Sequence, residues 1–245
     1  MKIAGHTAAV TSLFESTPQY FRAYLTGDPP EFSITVSRED IDFEQADLLE
    51  EAHRDGFKPR VFTDPFLERA AIQRAFAEFL FAHNTILFHG SAIAVDGQGY
   101  LFTAHSGTGK STHTRLWREA FGNRAVMVND DKPFIELAAD GVCLHGSPWS
   151  GKHGLDANVR VPLKGICVLE RGKENSIEPT APESVLPMLR KQAYQPTQAH
   201  TYPQFLELTE ALSRRVPLWK MACNKDHSAA HMAHNAMAGN PSEER

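Results

Sequence analysis

The stretch Tyr100-Leu-Phe-Thr-Ala-His-Ser-Gly-Thr-Gly-Lys-Ser-Thr112 is the part of the chain that decides its fold. Residues 100–103 are apolar or β-branched and predict a buried strand, whereas residues 112–121 carry apolar side chains at helical spacing. A short loop with two glycines joins these two predicted elements. Because a phosphate-binding loop needs a strand before it and a helix after it, the stretch predicts such a loop.

The predicted loop has a specific chemistry. Its backbone N–H groups and the N-terminus of the following helix would direct positive ends of dipoles at anionic oxygens. Lys110 is expected to reach the β- and γ-phosphates of a nucleotide, and the Ser111 hydroxyl to sit on Mg²⁺. Ala104 replaces the first glycine of the pattern G-x-x-x-x-G-K-[ST], which still permits close backbone approach if its φ is negative. The predicted nucleotide-binding residues are Ser106, Gly107, Thr108, Gly109, Lys110, Ser111 and Thr112.

Two adjacent carboxylates follow the next apolar run. Residues 125–128 predict a buried strand, and Asn129-Asp130-Asp131 comes directly after it. An acid placed downstream of a phosphate loop in this way is typical of nucleotide enzymes that hold Mg²⁺. One carboxylate can hold the metal while the other accepts a proton from an incoming hydroxyl, although such a pair is also common in solvated turns. We predict Asp130 and Asp131 as metal ligands, with Ser111, and as catalytic groups.

A glycine-rich loop, Gly146-Ser-Pro-Trp-Ser-Gly-Lys-His-Gly154, carries further cationic side chains. It could close over a substrate, with Lys152 contacting phosphate and His153 beside it, or it could be an ordinary connection. Arg160 and Arg171 flank the next apolar run, where either could pair with an anionic substrate or solvate a strand end. Lys152, His153 and Arg160 are accordingly the predicted substrate-binding residues.

A hairpin precedes the phosphate loop. Residues 86–95 predict a long strand, residues 96–99 a turn, and Tyr100 begins the return strand. Most P-loop folds feed the loop from a parallel sheet, so an antiparallel hairpin in this place predicts a mixed sheet.

The composition limits the classes of partner. With 245 residues, of which 42% are apolar, the chain is long enough to bury a sizeable core. A formal net charge of −5, without a run of basic residues, argues against nucleic acid or an anionic membrane surface as a partner. Three cysteines without a C-x-x-C pair, no signal-peptide pattern and no apolar run of membrane-spanning length predict a cytoplasmic protein.

Taken together, Phe88-His-Gly90, the hairpin, the loop of residues 106–112 and Val128-Asn-Asp-Asp131 resemble the catalytic domain of HPr kinase/phosphorylase. That domain belongs to the phosphoenolpyruvate-carboxykinase-like branch of P-loop folds. The resemblance covers about residues 84–235, and more closely the chain resembles a subgroup of HPr-kinase-related proteins. It implies an α/β P-loop fold of this type, with a mixed sheet and flanking helices. The implied domains are a small N-terminal α+β segment (1–62), a P-loop kinase-like domain (63–238) and a disordered tail (239–245).

The resemblance also implies roles for single residues. Lys110 matches the family's phosphate-binding lysine, and Ser111 its Mg²⁺-binding hydroxyl. Asp130 and Asp131 match its acidic pair, and His89 matches a catalytic-site histidine that lies near the phosphates. Thr112 stands where HPr kinases have an acidic residue, and the family's protein-substrate stretch is not recognisable, so HPr itself is not the expected substrate.

The predicted function is therefore that of a kinase that uses Mg-ATP, with GTP not excluded. Its acceptor would be a hydroxyl on a protein serine or on a small metabolite. The alternative is a nucleotide-binding regulatory module, or an NTPase, without a transfer substrate. Since HPr kinases are hexameric, a homo-oligomer is a further expectation.

Overall fold

The structure is a computed structural model that describes residues 1–54, 56 and 58–239. The chain divides into two compact units, the first spanning residues 1–80 and the second beginning at Phe81. The domain boundary predicted after residue 62 precedes a helix, Asp64–Phe81, that falls almost wholly within the first unit. The predicted tail lies outside the described residues except for Gly239.

The first unit is a small α+β assembly. Its three-stranded sheet has the order β1-β2-β3, with β1 antiparallel and β3 parallel to β2. Its elements are β1 (Lys2–Ile3), β2 (His6–Thr11), α1 (Ser16–Tyr20), β3 (Phe32–Thr35), α2 (Arg38–Arg54) and α3 (Asp64–Phe81). Ile72, Phe76 and Leu80 are fully buried on α3, as their helical spacing indicates.

The second unit is built on a curled mixed sheet. Its strands are β4 (Thr85–Leu87), β5 (Ser91–Val95), β6 (Gln98–Thr103), β7 (Ala125–Asn129), β8 (Phe134–Ala138), β9 (Gly141–His145), β10 (Arg160–Arg171), β11 (Ser176–Pro179) and β12 (Leu218–Cys223). Along one path the order is β4-β8-β9-β10-β6-β5-β7, and β12 pairs with both β10 and β11. The pairing of β5 with β6 is antiparallel and that of β6 with β10 is parallel, which confirms the predicted mixed sheet.

Helices cover both faces of this sheet. They are α4 (Lys110–Phe121), α5 (Pro182–Gln192), α6 (Tyr202–Arg215) and α7 (Ser228–Ala238). Because side chains alternate along a strand, Leu101 packs into one buried cluster with residues of α5 and α6, whereas Phe102 packs into another with residues of α4 and α7. Trp117 of α4 is fully buried in the second cluster, and its Nε1–H donates to Nε2 of His113 at 3.0 Å. The hydrogen bond lies within α4, and the packing of Trp117 against residues of the sheet fixes the helix there.

A tight hairpin turn joins β5 to β6, the strand that leads into the phosphate loop. Asp96 and Gly97 both have positive φ, at 51° and 77°, which matches the twist of the flanking strands. No helix in the described part of the chain is both long and apolar enough to cross a membrane.

Gly146, directly after β9, provides a test of the packing. A Cβ at this position would lie 1.7 Å from the carbonyl oxygen of Ala157 and 2.8 Å from that of Val128. Gly146→Ala is expected to lower the free energy of unfolding by about 3 kcal/mol, because backbone atoms rather than a flexible side chain would have to move. Urea denaturation would measure this change.

Gly141→Ala is the matched control for this substitution. A Cβ at Gly141, in β9, meets no atom within 4 Å, so the change is expected to alter stability by less than about 1 kcal/mol. Equal stabilities of the two variants would contradict the described packing of the segment before β10.

Candidate functional site

Most of the predicted site residues lie at one edge of the second unit's sheet. β5 is antiparallel to both β6 and β7, and β6 is parallel to β10, so β6, β7 and β10 all end at the same edge where β5 begins. A cavity of about 270 Å³ opens there. It is lined by His89, Gly107, Gly109, Lys110, Ser111, Thr112, Asp130, Asp131, Lys152 and His153.

The phosphate loop takes a shape that requires its glycines. Gly107 and Gly109 have φ of 75° and 122°, values that residues other than glycine rarely adopt. Helix α4 begins directly afterwards, and the carbonyl of Gly109 accepts the N–H of His113 at 2.9 Å. The N–H groups of the first helical residues therefore have no partner within the helix. Ala104 is buried and has no positive φ, so alanine satisfies this position.

Lys110 and Ser111 present polar groups that have little to bind within the protein. The Lys110 ammonium contacts only the carbonyl of Ala104, at the long distance of 3.5 Å, among the described residues. Burial lowers the pKa of Lys110, as does the nearby Lys132, while the carboxylates of the acidic pair oppose the shift. In the same described set, the Ser111 hydroxyl has no hydrogen-bond partner. Both groups are available for an anion or a metal.

Asp130 is the more buried of the two acids, with 7% of its surface exposed. Its Oδ1 accepts the hydroxyl of Ser91 at 2.6 Å, and this hydroxyl lies 2.8 Å from Oγ1 of Thr114. Thr114 is one turn beyond Ser111 on α4, so this contact links the end of β7 with the start of α4. The second oxygen of Asp130 has no hydrogen-bond donor in the described chain, which leaves it open to a cation.

Asp131 faces the cavity beside His89. Its Oδ1 lies 3.4 Å from Nε2 of His89, and about a third of each side chain is exposed. Burial raises the pKa of the Asp131 carboxyl, with a smaller contribution from Asp130, while Lys132 and Lys110 oppose the shift. A carboxylate with a raised pKa is a stronger proton acceptor, and Asp131 lines the cavity, so its carboxylate is placed where a base could act.

Asn129, which the sequence did not single out, organises the turn that carries the acids. Its Oδ1 accepts the N–H groups of Asp131 at 2.7 Å and Lys132 at 2.5 Å. Its Nδ2 donates to the carbonyl of Ser147 at 2.8 Å. One fully buried amide therefore holds both the acidic turn and the base of the glycine-rich loop.

The tip of that loop reaches the cavity. Gly151 has a φ of 68°, and a Cβ there would lie 3.2 Å from Cβ of Asp131. Lys152 and His153 follow in a single 3₁₀ turn, Gly151–His153, and both line the cavity. The sequence left the role of this loop undecided, and the structure places its tip adjacent to the acids.

Three predicted residues are placed differently. Arg160 does not line the cavity, and its Nε lies 2.9 Å from Oε2 of Glu136, as in the strand-end alternative. Ser106 and Thr108 also lie outside the lining, and the N–H of Thr108 donates to the carbonyl of His105 at 3.2 Å.

Sequence reasoning missed Ser91, Thr114, Asn129 and Lys132. Ser91 is two residues from His89 and Thr114 three from Ser111, so the periods of strand and helix could have marked the positions of these two residues, although not their contacts.

The site contains oxygen donors of the kind that Mg²⁺ uses. No group of three or more His, Cys, Asp or Glu side chains in residues 1–54, 56 and 58–239 could hold a metal. Mg²⁺ is usually bound by one or two carboxylates together with substrate phosphates and water. The open oxygen of Asp130 and the Ser111 hydroxyl match that pattern.

Comparisons with solved structures find chains of similar fold, one of which is an HPr(Ser) kinase/phosphatase. No protein-family model matches the chain, and no curated protein matches it. The chain is similar to the solved structure of the HPr(Ser) kinase/phosphatase from Coxiella burnetii, at 9% identity and a TM-score of 0.37. The match covers 62% of this chain and 97% of that one. At this distance, the chemistry of the site rests on its own residues.

His89 gives a prediction about pH. Burial, together with the charges of Lys132 and Lys110, lowers the pKa of His89 from 6.5 to about 3. The folded chain therefore binds fewer protons than the unfolded chain between these pH values. The stability contributed by neutral His89 is complete above pH 6.5 and is lost as the pH falls toward 3. NMR of the imidazole is expected to show no titration between pH 8 and 5.

The urea-unfolded chain is the reference for this measurement, since its imidazoles titrate near pH 6.5. A His89 signal in the folded protein that titrates between pH 6 and 7 would contradict the described environment.

Proposed function

We propose that the chain is a Mg-ATP-dependent phosphotransferase that transfers the γ-phosphoryl group to a hydroxyl of a protein serine or a small metabolite. GTP is the alternative donor. The observation that carries the proposal is that Lys110 and Ser111 line the same cavity as the Asp131–His89 pair. Phosphate-binding groups and a candidate base thus face each other across a space of about 270 Å³.

The chain's own groups account for binding of the phosphates. The N–H groups at the start of α4 have no helical partners and can donate to phosphate oxygens. The Lys110 ammonium neutralises charge on the transferring phosphoryl group, which stabilises the transition state. Ser111 and Asp130 would hold Mg²⁺, which when bound neutralises further phosphate charge.

Asp131 acts on the acceptor. Its carboxylate takes the proton of the acceptor hydroxyl, the hydroxyl oxygen forms a bond to the γ-phosphorus, and the bond to the ADP oxygen breaks. The imidazole of His89 borders this carboxylate, with Nε2 3.4 Å from Oδ1 of Asp131. Because Lys152 and His153 line the same cavity as Asp131, an acceptor that reaches this carboxylate also meets the tip of the glycine-rich loop.

The second candidate function is a nucleotide-binding regulatory module, or an NTPase, that has no transfer substrate. The sequence raised it through Ala104 in place of the first loop glycine, although the backbone at Ala104 has no positive φ and accommodates alanine. In that case Asp131 would activate only water, and no acceptor would bind at the loop tip.

Three variants test the proposal with labelled ATP, a cell extract and a panel of hydroxylated metabolites. Asp131→Asn is expected to reduce phosphoryl transfer by about 10²-fold or more while nucleotide binding persists, because only the base is lost. Lys110→Ala is expected to weaken nucleotide binding about tenfold or more, since a charge-assisted contact is removed. Asp130→Asn is expected to abolish transfer but not binding.

Asp140→Asn, in the exposed turn between β8 and β9, is the matched control and is expected to behave as the parent protein. Hydrolysis of ATP without transfer to any component of the extract or panel would overturn the kinase proposal in favour of the second candidate. Loss of nucleotide binding in the control and the site variants alike would indicate a general defect.

A further inference from the structure

We propose that Arg171 is a positioning residue that holds the phosphate loop in its binding shape. The inference rests on the proposed function for the identity of the ligand, a nucleotide. Its basis is a contact between the end of β10 and the crest of the loop, 64 residues apart in sequence.

The sheet register places Arg171 beside the loop. The last parallel pair between β10 and β6 is Val168 with Thr103. Arg171 lies three residues beyond that pair in β10, and the phosphate loop begins directly after Thr103 in β6. Both strands end at the same edge of the sheet, so a long side chain at position 171 can reach the loop.

The backbone at Arg171 is held on its other side. Arg171 pairs with Cys223 of β12, and the N–H of Gly172 donates to the carbonyl of Cys223 at 3.0 Å. A Cβ at Gly172 would lie 2.7 Å from the carbonyl oxygen of Glu174, so the turn that follows is closely packed. The backbone that carries the guanidinium is thus held by hydrogen bonds and packing, although the side chain itself is exposed.

The contact fixes one peptide plane of the loop. Nη2 of Arg171 donates to the carbonyl oxygen of Gly107 at 2.7 Å. The N–H of the same peptide, which belongs to Thr108, donates to the carbonyl of His105 at 3.2 Å. Both polar ends of the Gly107–Thr108 peptide are therefore engaged.

This matters because the loop has little else to hold it. Gly107 and Gly109 have wide conformational freedom, and His105 and Ser106 are exposed. Among the described residues, Arg171 is the only side chain from outside the loop that hydrogen-bonds residues 105–109. A carbonyl oxygen that turned toward a phosphate would repel it, and the guanidinium keeps the Gly107 oxygen bonded elsewhere.

The test is nucleotide binding by Arg171→Ala, measured by calorimetry with Mg-ADP and with a non-hydrolysable Mg-ATP analogue. Loss of one partly exposed, charge-assisted hydrogen bond is expected to weaken both nucleotides by the same factor, about three- to tenfold. The KM for ATP should rise by that factor while kcat changes less than about twofold, because the reacting groups are untouched.

Two further variants sharpen the test. Arg171→Lys keeps a donor and is expected to recover part of the affinity. Arg124→Ala removes another exposed arginine, one that pairs with Asp96 in the hairpin turn, and is expected to bind as the parent does. Thermal melting without nucleotide monitors the fold of every variant.

Each outcome has one interpretation. Equal affinities of Arg171→Ala and the parent would overturn the inference and leave the proposed function intact. A loss confined to the ATP analogue would also overturn it, since it would indicate a direct γ-phosphate contact. Failure of the parent itself to bind nucleotide would instead overturn the proposed function.

Discussion

The antiparallel pairing of β5 with two strands, β6 and β7, is the constraint on which the site depends. It forces β6 and β7 to run in the same direction, so the loop after one and the acids after the other emerge at a common edge. The chain enters β5 at that same edge, which brings His89 there. A parallel strand in the place of β5 would begin at the opposite edge, and the histidine would be separated from the acids by the length of the sheet.

The polar groups beneath the cavity are buried but not isolated. A buried polar group is costly unless it is hydrogen-bonded. Asp130, Ser91 and Thr114 satisfy much of this requirement among themselves, and Asn129 satisfies it with the backbone of Asp131, Lys132 and Ser147. The network also makes two neighbouring carboxylates unlike each other. Asp130 is tied to a strand and a helix, whereas Asp131 stands toward the cavity with a raised pKa. Sequence alone presents them as equivalent, and their surroundings separate them.

The sequence predicted the features that are local. Apolar periodicity and turn residues identified the hairpin, the strand before the loop and helix α4, because these signals span only a few residues. The same reasoning identified the loop and the acids Asp130 and Asp131 by their residue types and their order along the chain. It did not establish that they lie side by side. The roles of Ser91 and Asn129 depend on contacts across 39 and 18 residues of sequence, which no short pattern encodes. Arg160 and Arg171 looked alike as strand-end arginines, and only the register of β10 with β9 and β6 distinguishes them.

The amide of Asn129 has a mechanical consequence. One buried side chain binds both the acidic turn and the base of the glycine-rich loop, so a displacement of either part of the cavity wall must displace the other. The facing part of the wall, residues 105–109, is attached instead to the end of β10 through the Gly107 carbonyl and Arg171. The two sides of the cavity are therefore anchored independently, and a substitution at one anchor leaves the other intact.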